Sequence, residues 1–408
     1  MKYSCRAGLF QSSYDYELEA DRLVRRGPSG AVDMRFADIA EITVFKERRF
    51  GSSRTYWACT IAGDRRKLRL TSAHRRGALQ IEDRTASYIL FIKEFERRAL
   101  ANYPSPRFID DEFRETLGTK IVGSLSLQII RLSGYLPRRL AASICGAASR
   151  CIGPLLRGHR HARRQLRLAF PGMGSQEMRR VLQGMWDNIG RTFAEYGHIS
   201  KLMTFSIDTL AAGQIVMDER SAALLRRLGV ERRGALMFAA HLGNWEIPAM
   251  AARVCGRKIV LVYKHQPSSA MTGGLIEARS MFAEALIEAS PAAPREMLRA
   301  LRQERLVGML VDQHYAGGVE VSFFGYTCQV NPLLARLARS QDWPVYGARA
   351  VRLPDQRHRF ELIGPLEFPR DPSGKVDVQG AMQMVFGVIE TWIREHPEQW
   401  MWVHRIVR

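Results

Sequence analysis

The sequence is poor in several residue types, and each scarcity excludes a class of protein. Only 6 of its 408 residues are cysteine, with no Cys-x-x-Cys pair. Cys145 and Cys151 are the closest two, and neither stands at zinc-ligand spacing from a histidine. That excludes a disulfide scaffold and a zinc module, and unpaired thiols in a reducing compartment are expected. Proline is sparse at 17, and no tract is repetitive or of low complexity. With 46% apolar residues the chain is neither fibrous nor disordered, and it is long enough to core two or three domains. No run reaches 18 apolar residues, so a conventional membrane-spanning helix is not expected. The first residues carry acids from Asp15 onward and no apolar core of signal-peptide length, so export is not expected. Acid is the last scarcity. Only 41 Asp and Glu face 61 Lys and Arg, a formal +20, so the chain should meet something anionic: a membrane surface, a phosphorylated substrate, an acidic protein or nucleic acid.

Four regions follow one another. Residues 1–102 read as a strand-rich α+β accessory domain. Its runs Tyr14–Arg25, Ala40–Phe45, Thr55–Ile61 and Lys67–Leu70 are separated by Gly27-Pro28, Gly51-Ser52-Ser53 and Gly63-Asp64. Tyr88, Phe91, Ile92, Phe95 and Ala99 then form one apolar helix face. In element order this resembles a pleckstrin-homology-like (PH-like) module; an accessory domain without a ligand is the other reading. Residues 103–120, from Tyr103-Pro-Ser-Pro-Arg107 through Asp110-Asp111-Glu112, read as a linker. Residues 121–174 read as basic amphipathic helices in a membrane interface. The stretch 121–176 carries nine arginines and no acid, interleaved with Ile129, Leu132, Leu136, Leu140, Ile144 and Leu155 and broken by Pro137 and Pro154. A nucleic-acid arm, or helices packed on a catalytic core with arginines in solvent, are the competing readings.

Residues 175–408 predict an α/β domain, a mostly parallel sheet covered by helices. Ser175 is expected to cap a helix with Met178, Val181, Leu182, Met185, Trp186 and Ile189 on one stripe. Strands are expected at Ala235–Ala240, Lys258–Tyr263, Leu306–Val311, Pro344–Val351 and Arg359–Ile363. Helices are expected at Ile247–Val254, Gly273–Glu288, Arg295–Arg302, Pro332–Ser340 and Gln379–Glu395.

The chemistry gathers where the first of these strands ends, in His241-Leu242-Gly243-Asn244-Trp245-Glu246. An open α/β sheet puts its site at such a carboxyl end. On a continuous helix His241 and Glu246 would be about 140° apart. A turn at Gly243 and Asn244 lets them meet, with Asn244 also capping the helix. Glu246 is then expected to accept from one imidazole nitrogen and fix its tautomer, leaving the other to take a proton from an alcohol. Backbone N–H groups at the helix start would hold a carbonyl oxygen as it becomes an oxyanion.

The six-residue string resembles the H-x4-D/E acyltransferase signature in the H-x-G-N-W-E form of the bacterial lipid A late acyltransferases. Other strings resemble that family in the same order: Arg163–Pro171 its N-L-x-x-A-F-P stretch, with Gln165 for Asn; Trp186–Glu195 its next helix; and Val262-Tyr263-Lys264 its V-Y-R, with Arg279 downstream. Val311-Asp312-Gln313, Gly317-Gly318 and Phe323-Phe324-Gly325 resemble its D-Q…G…F-F-G block, and Pro397–Arg405 its closing P-E-Q-W-x-W-x-H-R. The resemblance spans about residues 120–408.

It implies an O-acyltransferase of lipid A and lipopolysaccharide biosynthesis with no cofactor and no metal. A fatty acyl group would pass from an acyl thioester on acyl carrier protein, or on CoA, to a hydroxyl of a phosphorylated or anionic glycolipid. His241 would be the general base and Glu246 its orienting carboxylate. Gly243, Asn244, Tyr263, Arg279, Asp312 and Glu320 would serve substrate binding, with Arg279 on a phosphate and Asp312 or Glu320 as a second carboxylate. The protein would sit peripherally on the cytoplasmic face of the cell inner membrane, without nucleic acid. Alternatives are an acyl-CoA-dependent glycolipid or lysophospholipid acyltransferase and a non-catalytic lipid-binding protein. Lys264-His265 stands where the family has Arg-Pro, so the acceptor need not be a lipid A precursor.

Overall fold

The computed structural model describes residues 1–5, 14–28, 30–48, 55–63, 67–75, 81–83, 85–101, 107–113, 117–203, 206–208, 210–264, 269–290 and 292–403. The Gly51-Ser52-Ser53 turn, Asp64, residues 103–106, His265 and His404-Arg405 lie outside the described residues. The chain divides into two compact units, Met1–Thr119 and Lys120–Arg408.

In the first unit, β1 (Lys2–Cys5), β2 (Tyr14–Leu18), β3 (Arg22–Gly27) and β4 (Gly30–Arg35) form an antiparallel sheet in chain order. A second sheet continues from β5 (Ile39–Arg48) through β6 (Thr55–Gly63) to β7 (Lys67–Thr71). A ribbon of β8 (Ala73–Arg75) and β9 (Ile81–Asp83) precedes α1 (Thr85–Ala101). Tyr88, Phe91, Ile92 and Phe95 of α1 are buried in one core with Leu23, Ile42, Ile61 and Leu70, as their helical spacing requires. Within the stretch read as a linker, Arg107–Phe113 is a strand, β10, added in parallel to β5.

The second unit opens on helices: α2 (Leu117–Ser133), α3 (Arg138–Ile152), α4 (Arg157–Ala169), α5 (Ser175–Glu195) and the short α6 (Ile199–Leu202). The apolar stripe predicted for α5 is buried throughout, but Gly174 holds its N-cap position and no side chain caps it. Then come β11 (Ile215–Met217), α7 (Glu219–Val230), β12 (Ala235–Ala239), α8 (Ile247–Val254), β13 (Ile259–Tyr263), α9 (Ser269–Ser280), β14 (Ala285–Glu288), α10 (Ala293–Arg302) and β15 (Leu306–Leu310). A ribbon of β16 (His314–Phe323) and β17 (Tyr326–Val330), α11 (Leu333–Gln341), β18 (Val345–Arg352), β19 (His358–Ile363) and α12 (Val378–Glu395) complete it. The seven-stranded sheet runs β11-β19-β18-β12-β15-β13-β14 and is parallel except between β18 and β19.

All five predicted strands form. The helix expected over Gly273–Glu288 instead ends at Ser280, and Ala285–Glu288 pairs with β13 as an edge strand. A four-residue apolar run has no period that separates strand from helix, so sheet pairing decides. Central β12 is buried on both faces. Leu236 and Phe238 point into one core, with Trp400 and Phe386, while Ala235 and Met237 point into the other, with Ile247 and Tyr346. Period-two alternation with apolar residues on both faces is the mark of a sheet covered on both sides.

Candidate active site

β12 and β15 are adjacent and parallel, so the residues just past their carboxyl ends come together. From β12 that residue is His241, and from β15 it is Asp312. The imidazole Nδ1 stands 2.8 Å from Asp312 Oδ1, and the His241 backbone N–H donates to Oδ2 at 2.8 Å. The indole Nε1–H of Trp400 also donates to Oδ2, at 2.8 Å. Asp312 is fully buried, and the His241 side chain keeps 12% exposure. A carboxylate only accepts, so the proton belongs on Nδ1 and the lone pair on Nε2.

This corrects the sequence expectation that Glu246 orients the imidazole. Gly243 does turn the chain, with φ of +59°, but Asp312 holds Nδ1 and Glu246 is bonded to other side chains. Its carboxylate accepts from Tyr196 Oη at 2.6 Å, from Arg279 Nη2 at 2.6 Å and from Arg279 Nε at 3.0 Å. Burial pushes Glu246 up, and the Arg279 guanidinium with the Tyr196 hydroxyl more than offsets this, holding it below the usual carboxylate value. Burial and the neighbouring carboxylate hold the Tyr196 phenol well above its ordinary pKa. Arg279, expected on a substrate phosphate, is thus committed to Glu246, which offsets the effect of burial and keeps it charged.

The loop itself is clamped from three sides. The Gly243 N–H donates to Gln399 O at 3.0 Å and that of Asn244 to Ala350 O at 3.2 Å. Glu246 N–H donates to Asn244 Oδ1 at 3.1 Å and Ile247 N–H to Asn244 O at 3.3 Å. Those four donors are spent on acceptors of the protein itself and do not form the oxyanion hole expected of the helix start. A Cβ on Gly243 would lie 1.8 Å from Ala350 O, so only glycine fits. On the other side, Met401 N–H donates to His241 O at 3.0 Å.

The structure therefore gathers His241, Asp312, Asn244, Glu246 and Arg279. Tyr263 stands half-buried at the end of β13, which β15 separates from β12, and Glu320 is exposed on β16 opposite Gln329. Phe323 and Phe324 are core: the Phe323 ring packs on Phe386 at 5.3 Å and on Trp400 at 6.3 Å. A narrow cavity of about 50 Å³, lined by Met237, Leu261, Met309 and Trp245, abuts Glu246 and Arg279.

Sequence reasoning gave no role to Asn188, Thr192, Glu195, Tyr196, Arg352 or Gln399. Their signal was present, since Asn188, Thr192 and Glu195 repeat at i, i+4, i+7 and so share one polar helix face beside an apolar stripe. Residues 112–408 match the family described as bacterial lipid A biosynthesis acyltransferase. No curated protein matches the chain.

Proposed function

The chain belongs to the bacterial lipid A biosynthesis acyltransferase family and is an acyltransferase, and from that premise we propose a specific reaction. A fatty acyl group passes from a thioester on acyl carrier protein to a hydroxyl of a phosphorylated glycolipid such as a lipid A precursor, with His241 as general base. Nε2 takes the hydroxyl proton as the oxygen attacks the thioester carbonyl. Asp312 holds the Nδ1–H and stabilises the imidazolium, which returns its proton to the departing thiolate. The observation that carries this reading is the 2.8 Å contact between Nδ1 and Asp312 at the carboxyl ends of β12 and β15. Glu246 keeps Arg279 charged beside the apolar cavity, where a thioester carbonyl with its first methylenes would lie.

Two surface features support a peripheral seat on the cytoplasmic face of the inner membrane. Leu125, Ile129 and Leu132 on α2, Leu140, Ile144 and Ile152 on α3, and Leu155 just beyond it are exposed. Arg160, Arg163, Arg164 and Arg167 on α4 are exposed next in the chain. Apolar side chains flanked by guanidinium groups suit the boundary between acyl chains and anionic headgroups. Among the described residues no helix is long and apolar enough to cross a membrane. The net charge of +20 also favours an acidic carrier and a phosphorylated acceptor.

The reading is tested with acyl carrier protein charged with a radiolabelled acyl chain, and a lipid A precursor. The wild type should label the glycolipid, and His241→Ala, with an unchanged melting temperature, should not. Label transfer retained by His241→Ala overturns the assignment. Replacing the carrier with acyl-CoA in the same assay decides the donor, and absence of transfer from either favours a lipid-binding protein.

A further inference from the structure

Beneath the catalytic turn lies a buried charge cluster that the proposed chemistry does not use. Glu195, the last residue of α5, has a fully buried side chain. Arg352 donates to both its oxygens, Nη1 to Oε1 at 2.6 Å and Nη2 to Oε2 at 2.9 Å. Arg138 Nη1 donates to Oε1 at 3.0 Å, and His358 Nε2 lies 3.1 Å from the same oxygen. Its remaining contact reaches the turn, where Asn244 Nδ2 donates to Oε2 at 2.8 Å.

The same helix face grips the turn twice more. Asn188 Nδ2 donates to Gly243 O at 2.9 Å and Thr192 Oγ1 to the same oxygen at 3.2 Å. Arg352 ties the three together, with Nε on Asn188 Oδ1 at 3.0 Å and Nη2 on Thr192 Oγ1 at 3.2 Å.

Burying two guanidinium groups around one carboxylate is expensive, and apolar packing of equal volume commonly stabilises a fold at least as well. The cluster therefore needs a reason other than stability. A carboxylate cannot donate, so Glu195 forces the Asn244 amide to present its NH₂ downward and its Oδ1 upward. That oxygen is the acceptor for Glu246 N–H, so the orientation of one amide fixes the backbone between His241 and Glu246. We propose that Glu195 is a positioning residue for acyl transfer, acting on the His241 turn through Asn244. The inference rests on His241 as the base.

The test is a double-mutant cycle on kcat with Glu195→Gln, Asn244→Ala and the pair. Gln keeps the volume but sets an NH₂ against a guanidinium or against the Asn244 amide. Glu195→Gln should lower kcat about 100-fold, the scale of a misplacement near 1 Å, with KM for both substrates within about twofold. The double variant should lose no more than the worse single variant, because both break one chain of contacts. Losses that multiply, a change in KM alone, or an unaffected kcat overturn the proposal. If Glu195→Gln fails to fold, Glu195→Asp keeps the charge against Arg138 and Arg352 and draws the carboxylate back from Asn244. It should lower kcat at normal melting temperature and KM, and an unchanged kcat overturns the proposal. Full activity of His241→Ala instead overturns the base assignment, while coupling between positions 195 and 244 still reports whether they act together.

Discussion

At the scale of single residues, the two carboxylates near the imidazole have separate tasks. Asp312 accepts from the His241 backbone, from its ring and from the Trp400 indole. Asn in its place would turn an NH₂ toward at least one of those N–H groups, or flip the imidazole tautomer. Asp312→Asn should therefore lower kcat by about 10²–10⁴-fold, the range attributable to positioned proton transfer, with the fold intact by circular dichroism. Gly243 is constrained as sharply. Gly243→Ala combines a left-handed backbone with a Cβ 1.8 Å from Ala350 O. It should lose activity and more than about 1–2 kcal/mol of stability in urea unfolding, since the strain alone reaches that range. A variant as stable as the wild type would show that the turn adapts.

At the scale of elements, buried ion pairs tie α5 to β18 through Glu195 and Arg352, and the turn before α8 to α9 through Glu246 and Arg279. Despite burial, their cationic partners hold both carboxylates below the ordinary value of 4.5. As pH falls the unfolded chain binds these protons first, so their stabilisation is full above about 4.5 and is lost toward the folded values. His358 acts with the same sign. Burial keeps it below its ordinary 6.5 despite Glu195, so under acid the unfolded imidazole takes a proton that the folded one refuses. The urea midpoint should start to fall near pH 6.5 and steepen below about 4.5. A midpoint constant from about pH 7 to 4 would contradict these roles. Elements also explain what could be read from the sequence. The turn after β12 was legible because strand, glycine and helix are consecutive. The partner of His241 was not, because Asp312 is 71 residues away and arrives only when β15 inserts between β12 and β13. Glu246 was the nearer candidate in sequence, but Tyr196 and Arg279, from two other elements, claim it.

At the scale of the molecule, the proposed peripheral seat rests on the exposed apolar residues of α2, α3 and the segment to α4. Leu132 is 63% and Leu155 84% exposed, so neither is needed for the core. Leu132→Glu with Leu155→Glu should leave thermal unfolding unchanged and cut co-flotation with anionic vesicles, and added salt should weaken the wild type too. Undiminished flotation would place the contact elsewhere. Residues 399–401 also bear on biogenesis. Gln399, Trp400 and Met401 supply the acceptor for Gly243, the indole on Asp312 and the donor to His241. A nascent chain still short of Gln399 therefore lacks these three contacts at the turn and at Asp312. The reaction centre is thus closed only after residues 399–401 have been made and have folded back onto it.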